Sequence, residues 1–213
     1  MAGIGVAEVR SSLARVARAL AANKDHLTEL DQAMGDGDLG ITAGKMAAAL
    51  ESYVEQEPPE DVGTYGAQAG MAVNRAASSS LGTLLATALM RAGKEVRGQH
   101  ELTPSDLARM LAAADTGVQE RGKAKPGDKT IIDVLHPAAE TAVAAVAEGA
   151  APEVVAERTL RAARDGRDAV TPLRSKIGRA GWIGERTEGL VDPGCEAGVI
   201  VLSAILDGSE EAA

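Results

Sequence analysis

The chain has 213 residues and a formal net charge of −9, and 45% of its residues are hydrophobic although only 1% are aromatic and Phe is absent. This length suits one well-buried domain. The negative charge argues against a broad surface for nucleic acid or for an anionic membrane. A core made of Ala, Leu, Val and Ile favours close helix packing over a β-sandwich.

The single cysteine, Cys195, cannot form an internal disulfide, which is typical of a reducing compartment. Residues 1–5 lack the basic-then-apolar layout of a signal peptide. No segment approaches the roughly 18 consecutive apolar residues of a membrane span. We therefore expect a cytoplasmic protein.

Apolar residues recur at helical spacing along most of the chain. Thr103 followed by Pro104 marks one helix start, with Thr as the cap and Pro at the first helical position. The pattern predicts helices over residues 6–23, 26–32, 42–55, 62–74, 81–94, 103–121, 130–147 and 152–168, and a last helix ending near residue 206. Since no alternating strand pattern of useful length occurs, we predict an all-α fold of about eight helices in an up-and-down bundle.

Three aspartates lie close together between two of these helices, in the segment Leu30-Asp31-Gln32-Ala33-Met34-Gly35-Asp36-Gly37-Asp38-Leu39-Gly40. Close carboxylates repel each other unless a cation or a proton separates them. Their oxygens suit Mg²⁺ or Ca²⁺, and Mg²⁺ usually completes its shell with water and substrate phosphates. The glycines let the backbone approach a ligand, and the helix start that follows can bind an anion. The segment therefore predicts a divalent-metal phosphate site.

Two alternatives apply to this segment. An EF-hand loop beginning at Asp36 would place Gly40 and Ala47 where a third acidic ligand and the bidentate Glu belong, and a loop beginning at Asp38 fits no better. A solvated turn with helix-capping aspartates explains the segment as well as a metal site does, because short Asp/Gly runs are common in turns.

Two further loops interrupt the helices, at residues 122–129 and 177–194, and the Ser-rich segment 76–83 begins another helix. In an up-and-down bundle alternate connections lie at the same end, so these loops and the turn at 35–40 can converge. The serine hydroxyls and N-terminal amides of 76–83 suit a phosphate, although helix capping by Ser explains that segment equally well.

Single residues in these loops have plainer interpretations. We expect Lys125 and Lys129 to be solvated beside a Pro-Gly turn and Asp128 to cap the following helix. Three histidines show no ligand-like spacing and are expected to be surface or capping residues, namely His26, His100 and His136.

Four motifs follow one another along the chain. They are Leu30-Asp31 with Gly35-Asp36-Gly37-Asp38-Leu39-Gly40, then Gly122-Lys123-Ala124-Lys125-Pro126-Gly127-Asp128-Lys129-Thr130, then Gly178-Arg179-Ala180-Gly181-Trp182-Ile183-Gly184-Glu185-Arg186, and finally Asp192-Pro193-Gly194. In this order and spacing they resemble the nucleotide-binding L subunit of dihydroxyacetone kinases, the DhaL-type domain, over nearly the whole chain. The resemblance implies a barrel of eight amphipathic helices spanning residues 1–208, with ATP or ADP held at one end through two Mg²⁺ ions. Residues 209–213 would form a frayed tail.

The resemblance also implies a role for each matched residue. It makes Asp31, Asp36 and Asp38 the metal ligands. The residues implied to line the nucleotide are Leu39, Gly40, Ile41, Thr42, Ala77, Ser78, Gly122, Ile131, Arg179, Asp192, Pro193 and Gly194. Arg179 could add a fixed cation near the phosphates. No catalytic nucleophile is required on this chain, because phosphoryl transfer needs mainly positioning and charge neutralisation.

In this family the ketose binds covalently to a histidine on a separate K subunit or domain, for which this chain has no room. The resemblance therefore implies a kinase active only with that partner, acting on dihydroxyacetone (glycerone) or a related ketose such as erythrulose. The phosphate would come from ATP, or from a phosphocarrier protein that recharges bound ADP. Two other functions are alternatives to such a kinase subunit. One is a non-catalytic ADP-binding sensor, and the other is a domain like the N-terminal part of fatty-acid kinases. The 122–129 motif argues against the second of these.

The chain departs from the family's pattern in three places. Leu39 stands where His is common, which removes a polar contact near the phosphates. Arg75-Ala76-Ala77-Ser78-Ser79-Ser80 replaces a Gly-Gly-x-Ser-Gly-Pro loop, and the loss of glycines should stiffen it. Trp182 replaces smaller or Tyr-type residues, and we expect it to be a hydrophobic anchor.

Overall fold

A computed structural model describes residues 3–207, and every regular element in that range is helical apart from one isolated bridge between Ile4 and Leu102. The α-helices are α1 (Val6–Ala22), α2 (Lys24–Met34), α3 (Leu39–Val54), α4 (Val62–Ala76), α5 (Ser80–Glu95), α6 (Pro104–Gly122), α7 (Ile132–Ala147), α8 (Pro152–Val170), α9 (Gly178–Ile183) and α10 (Pro193–Leu206), with a 3-10 helix at Gly184–Thr187. The all-α prediction is confirmed. The predicted tail at 209–213 lies outside the described residues.

The described residues form ten α-helices, and nine of them correspond to the nine helical segments that the sequence pattern marked, although the predicted total was about eight. The remaining helix is α9, six residues long, in a stretch interpreted as loop because glycines interrupt its helical pattern. The short helix before the acidic segment is also longer than predicted, reaching from residue 24 to residue 34. None of the helices between residues 3 and 207 has both the length and the apolarity that a bilayer span requires.

The eight longest helices pack against one another in chain order. Helix α1 packs on α3, α3 on α4, α4 on α5, α5 on α6, α6 on α7, α7 on α8 and α8 on α10, and α10 returns to α1. Helix α2 lies against α3 and α10, and α9 contacts α2. The two short helices therefore lie on the same side of this arrangement, next to the start of α3.

Small residues allow α4 and α5 to approach closely. A Cβ added at Gly63 would lie 2.5 Å from the carbonyl oxygen of Gly93, and one added at Gly70 would lie 2.8 Å from that of Ala86. Both separations are shorter than van der Waals contact. The packing thus depends on glycine, in agreement with a core that is poor in aromatic residues.

A small apolar cluster lies beneath the 122–129 loop. It consists of Val118, Ala124, Ile132 and Leu135, with Leu84, Ile131 and Ile177 among the partly buried residues packed against it. The cluster joins α5, α6, the 122–129 loop, the start of α7 and the residue before α9. Burying these side chains from five segments anchors three of the predicted site segments to one another.

His136 is not an ordinary surface residue, contrary to the sequence prediction. Its Nδ1 lies 2.8 Å from Oδ2 of Asp115 on α6, and the Asp115 carboxylate is buried. The hydrogen bond to Asp115 raises the pKa of His136 above its ordinary value of 6.5, against the opposing effect of burial. The pair therefore links α6 to α7, the two helices that flank the 122–129 loop.

We expect His136→Gln to lower the free energy of unfolding by about 0.5–1 kcal/mol at about pH 5.5 and much less at about pH 9. Because folding raises the pKa of His136, the contribution is complete below the unfolded value of 6.5 and is lost as pH rises through the folded pKa. Urea unfolding of both proteins at the two pH values measures the difference. An equal loss at both would contradict this account of the pair.

Candidate functional site

Asp31, Asp36 and Asp38 come together at the connection between α2 and α3, which we call the acidic turn (residues 31–40). Each offers one carboxylate oxygen, and the three oxygens lie within 4.8 Å of one another. Asp31 is in the last turn of α2 and Asp38 directly precedes α3. Gly37 has φ +76°, a conformation that suits glycine and lets the chain reverse between them. This spacing of hard oxygen ligands fits a divalent cation.

The three carboxylates are held together against their mutual repulsion. Burial raises the pKa of the Asp31 carboxyl above its ordinary value, and the charges of Asp36 and Asp38 raise it further. Two backbone N–H groups oppose this rise: that of Leu39, which donates to Asp31 Oδ2 at 3.0 Å and has the larger effect, and that of Asp38. A cation placed among these oxygens would stabilise their charged forms.

Arg179 is the cation that the structure brings to the acidic turn. Its Nη1 pairs with the Asp36 carboxylate and lies 3.3 Å from Oδ2 of Asp38. The Arg179 side chain is 63% exposed, so the pair contributes little to stability. Its importance is its position, because α9 and the acidic turn meet here although they are far apart in sequence.

Gly40 sets the distance between α2 and α3. A Cβ at this position would collide with the carbonyl oxygen of Lys24 and with Oγ1 of Thr28, both on α2. The close approach brings the first amide of α3 to the Asp31 carboxylate. Any larger residue at Gly40 would push the two helices apart and separate these groups.

The 122–129 loop is held by acidic side chains that accept from its backbone. Asp133 accepts from the N–H of Gly127 at 2.5 Å and from that of Thr130 at 2.8 Å. Asp128 accepts from the N–H of Lys125 at 2.9 Å, so the prediction that it caps α7 is wrong. The reason is that α7 begins at Ile132, two residues later than predicted, which leaves Asp128 inside the loop.

Lys129 is buried, not solvated as predicted, with 1% of its surface exposed. Its ammonium donates to three backbone carbonyl oxygens, those of Thr171 at 2.8 Å, Leu173 at 2.8 Å and Thr187 at 2.6 Å. Lysines are seldom buried, and backbone acceptors have no side-chain signature in a sequence. The pattern of the chain therefore offered no signal for this contact.

A second group of predicted site residues gathers where α7 and α10 begin. Asp192 caps α10 by accepting from the N–H of Cys195 at 2.8 Å, and burial raises its pKa to about 6. The Cys195 thiol donates to the carbonyl oxygen of Thr130 at 3.0 Å. A Cβ added at Gly194 would lie 3.7 Å from the backbone nitrogen of Ile131. Residues 130–131 and 192–195 thus form one wall.

The remaining predicted residues differ in exposure. Gly40, Thr42, Ala77 and Pro193 are buried, Leu39, Gly122, Ile131 and Gly194 are half-buried, and Ile41 and Ser78 are exposed. Ser79 rather than Ser78 caps α5, by accepting from the N–H of Gly82. Within residues 3–207, neither Ser78 nor Gly122 makes a hydrogen bond or ion pair with the acidic turn. Trp182 is 95% exposed, so its predicted role as a hydrophobic anchor is wrong.

The family model of the DAK2 domain matches residues 33–207. The chain belongs to the DAK2 domain family. This DAK2 domain is 31% identical over 184 residues to the ADP-binding subunit DhaL of PEP-dependent dihydroxyacetone kinase 1 from Listeria innocua, covering 86% of this chain and 87% of that one. It is 26% identical over 199 residues to the corresponding ADP-binding subunit DhaL from Escherichia coli, covering 93% and 95% of the two chains. The resemblance to L subunits is thereby confirmed.

Solved structures agree with the helical fold of this DAK2 domain. The dihydroxyacetone kinase of C. freundii in its native form matches with a TM-score of 0.75 and 25% identity, over 97% of this chain and 35% of that chain. The same kinase in complex with AMP-PNP and Mg²⁺ matches with a TM-score of 0.71 and 24% identity, over 98% of this chain and 35% of that chain. The DAK2 domain therefore corresponds to about a third of that longer kinase.

We expect Gly40→Ala to lower the free energy of unfolding by about 1–3 kcal/mol, because the added methyl group collides with α2. Gly44→Ala is the matched control in the same helix, where an added Cβ has nothing within 4 Å. That substitution should raise the free energy of unfolding by about 0.5–1 kcal/mol through better helix propensity. Urea denaturation compares the two variants, and a neutral Gly40→Ala would refute the close approach of α2 and α3.

Proposed function

We propose that this chain is the nucleotide-binding, phosphoryl-donor subunit of a dihydroxyacetone-type kinase. The observation that carries the proposal is the meeting of three carboxylates and Arg179 at the acidic turn. Membership of the DAK2 family and the similarity to ADP-binding DhaL subunits support it. The activity, the nucleotide and the site residues are all part of this proposal.

The donor set of the acidic turn fits Mg²⁺. It offers three carboxylates, which are hard oxygen ligands, and Asp36 is exposed while Asp31 and Asp38 are half-buried. Such a site leaves room for water and phosphate oxygens to complete the coordination shell, and three carboxylates suffice for two ions that each bind through one or two. When bound, Mg²⁺ would neutralise phosphate charge and so allow an acidic protein to hold a polyphosphate.

The nucleotide would lie between the acidic turn and the wall formed by residues 130–131 and 192–195. The first turn of α3, from Leu39 to Thr42, starts beside the proposed metal ligands and presents backbone N–H groups that suit phosphate oxygens. Ile131 and Pro193 would contact the nucleoside, with Ala77, Ser78 and Gly122 on neighbouring helix ends. We propose that the eight long helices form a barrel with the nucleotide at this end.

The chain's own residues would act by positioning and by neutralising charge. Arg179 is exposed enough to pair with phosphate oxygens as well as with Asp36, and its planar guanidinium suits either partner. No nucleophile is needed here, since the attacking oxygen belongs to the acceptor. Because Asp36, Arg179 and Ile41 are all exposed, the terminal phosphate would face outward toward a partner.

We propose that this partner is a ketose-binding K-type subunit that docks over the acidic turn. Its bound substrate would be dihydroxyacetone or a related ketose such as erythrulose, and the phosphate would pass to a hydroxyl of that sugar. The relatives named above are themselves subunits of dihydroxyacetone kinases. An active assembly would therefore need both chains.

A second candidate function differs only in the source of the phosphate. The relatives are ADP-binding subunits of PEP-dependent kinases, which favours ADP as a retained cofactor that a phosphocarrier protein recharges. Denaturing the purified protein and analysing the released nucleotides separates the two candidates. Stoichiometric ADP that survives dialysis would favour the retained cofactor, and rapid exchange with added ATP would favour ATP as the donor.

We expect Asp36→Ala to abolish binding of Mg-ATP, because it removes a proposed metal ligand and a partner of Arg179. Isothermal titration calorimetry of the nucleotide-free chain measures the affinity in Mg²⁺ and again in EDTA. Glu29→Ala is the matched control, since it removes an exposed carboxylate from α2 outside the acidic turn. Full-strength Mg-ATP binding by Asp36→Ala would rule out the metal assignment.

The isolated chain should phosphorylate dihydroxyacetone no faster than a heat-inactivated control, because the ketose site is proposed to lie on another chain. Addition of a K-type ketose-binding subunit should start turnover. A coupled assay for ADP or for the sugar phosphate measures both rates. Turnover by this chain alone would overturn the division of the site between two subunits.

A further inference from the structure

Two lysines, Lys129 and Lys176, join the 122–129 loop to the segment at residues 171–187. Lys129 reaches out of the loop and donates to carbonyl oxygens of that segment. Lys176 reaches back and donates to the carbonyl oxygen of Gly127 at 2.7 Å, while its own N–H donates to that of Asp128 at 3.2 Å. The contact is therefore reciprocal, and it involves backbone groups on both sides.

The Lys129 ammonium binds both ends of the 171–187 segment through hydrogen bonds to backbone carbonyl oxygens. An ammonium has three N–H donors, and here each has a carbonyl acceptor, two just after α8 and one at the end of the 3-10 helix. The Thr187 hydroxyl completes the arrangement by accepting from the N–H of Ser175 at 3.0 Å and donating to the carbonyl of Gly184 at 2.7 Å. Both ends of the segment are thus fixed to one buried cation.

The backbone at Lys129 supports a specific role for this side chain. Its φ of +62° lies in the left-handed region, which residues with a Cβ seldom adopt. Such a conformation persists only where the surroundings hold it. Here the three hydrogen bonds of the side chain fix the residue, and this conformation directs Lys129 away from solvent.

Arg179 lies within the segment that Lys129 holds. It is on α9, which has no buried residue of its own, and its side chain is 63% exposed. The position of Arg179 therefore depends on the residues that flank α9. Those are Lys176 before it and Gly184–Thr187 after it, and both are tied to the 122–129 loop or to Lys129.

We propose that Lys129 is a positioning residue for the nucleotide site, which acts by holding the 171–187 segment so that Arg179 reaches Asp36 and Asp38. This inference rests on the proposed function of the acidic turn. A lysine that only stabilised the fold would weaken nucleotide binding whether or not Arg179 were present. A lysine that acts through Arg179 loses its effect on binding once Arg179 has been removed.

The test is a double-mutant cycle with Lys129→Met and Arg179→Ala, in which the affinity for Mg-ADP is measured by calorimetry. Lys129→Met should weaken binding by roughly tenfold in the wild-type background and by less than about twofold in the Arg179→Ala background. Hydrogen exchange of amides 171–190 should accelerate by roughly tenfold or more in Lys129→Met, with little change in α1 and α3. Lys125→Met is the matched control, an exposed lysine of the same loop, and should leave both measurements unchanged.

Equal losses of affinity in the two backgrounds, or unchanged exchange at 171–190, would overturn the inference. If Lys129→Met does not fold, Thr187→Val replaces it, since this near-isosteric change removes the hydroxyl that joins Ser175 to Gly184. The same dependence on Arg179 is expected of that variant. A wild-type chain that binds no Mg-ADP would instead refute the proposed function, and the exchange measurement would still decide whether Lys129 holds the segment.

Discussion

The repulsion among three carboxylates held within 4.8 Å of one another is the constraint on which the candidate site depends. The acidic turn stays compact because Gly37 lets the chain reverse and Gly40 lets α3 approach α2. In that position the first amide of α3 donates to Asp31, and Arg179 supplies positive charge to Asp36 and Asp38. Such an arrangement favours the binding of a cation, and it gives an acidic protein a local means of holding phosphate.

The positive charge that Arg179 brings to the acidic turn is carried by α9, a short helix with no buried residues to anchor it. Helix α9 buries none of its residues, and its place is determined by the flanking backbone. Those flanks meet the 122–129 loop through Lys129 and Lys176, and the loop is itself held by Asp133. A series of side-chain-to-backbone hydrogen bonds, completed by the ion pairs of Arg179, therefore connects the start of α7 to the acidic turn. A substitution in this loop should consequently alter the proposed phosphate site.

Much of the fold followed from the sequence because the signals were local. Helical spacing located nine of the ten helices to within a few residues, and the Asp/Gly spacing identified the acidic turn. The failures had different physical causes. Lys129 binds backbone carbonyl oxygens more than 40 residues away in the sequence. Asp128 does not cap α7, because this helix begins later than its sequence pattern suggested. Trp182 is predicted to be a hydrophobic anchor, but α9 presents it to solvent.

The assignment of the acidic turn as a metal site is tested most directly by locating a bound divalent cation by NMR, with Mn²⁺ as a paramagnetic probe and ADP present. Mn²⁺ replaces Mg²⁺ at oxygen sites and broadens the signals of nearby amides. Substoichiometric Mn²⁺ should broaden the amide signals of residues 31–40 first, together with those of α9, and excess Mg²⁺ should reverse the effect. Broadening centred elsewhere in the chain, or none at all in a sample that has bound ADP, would contradict this assignment.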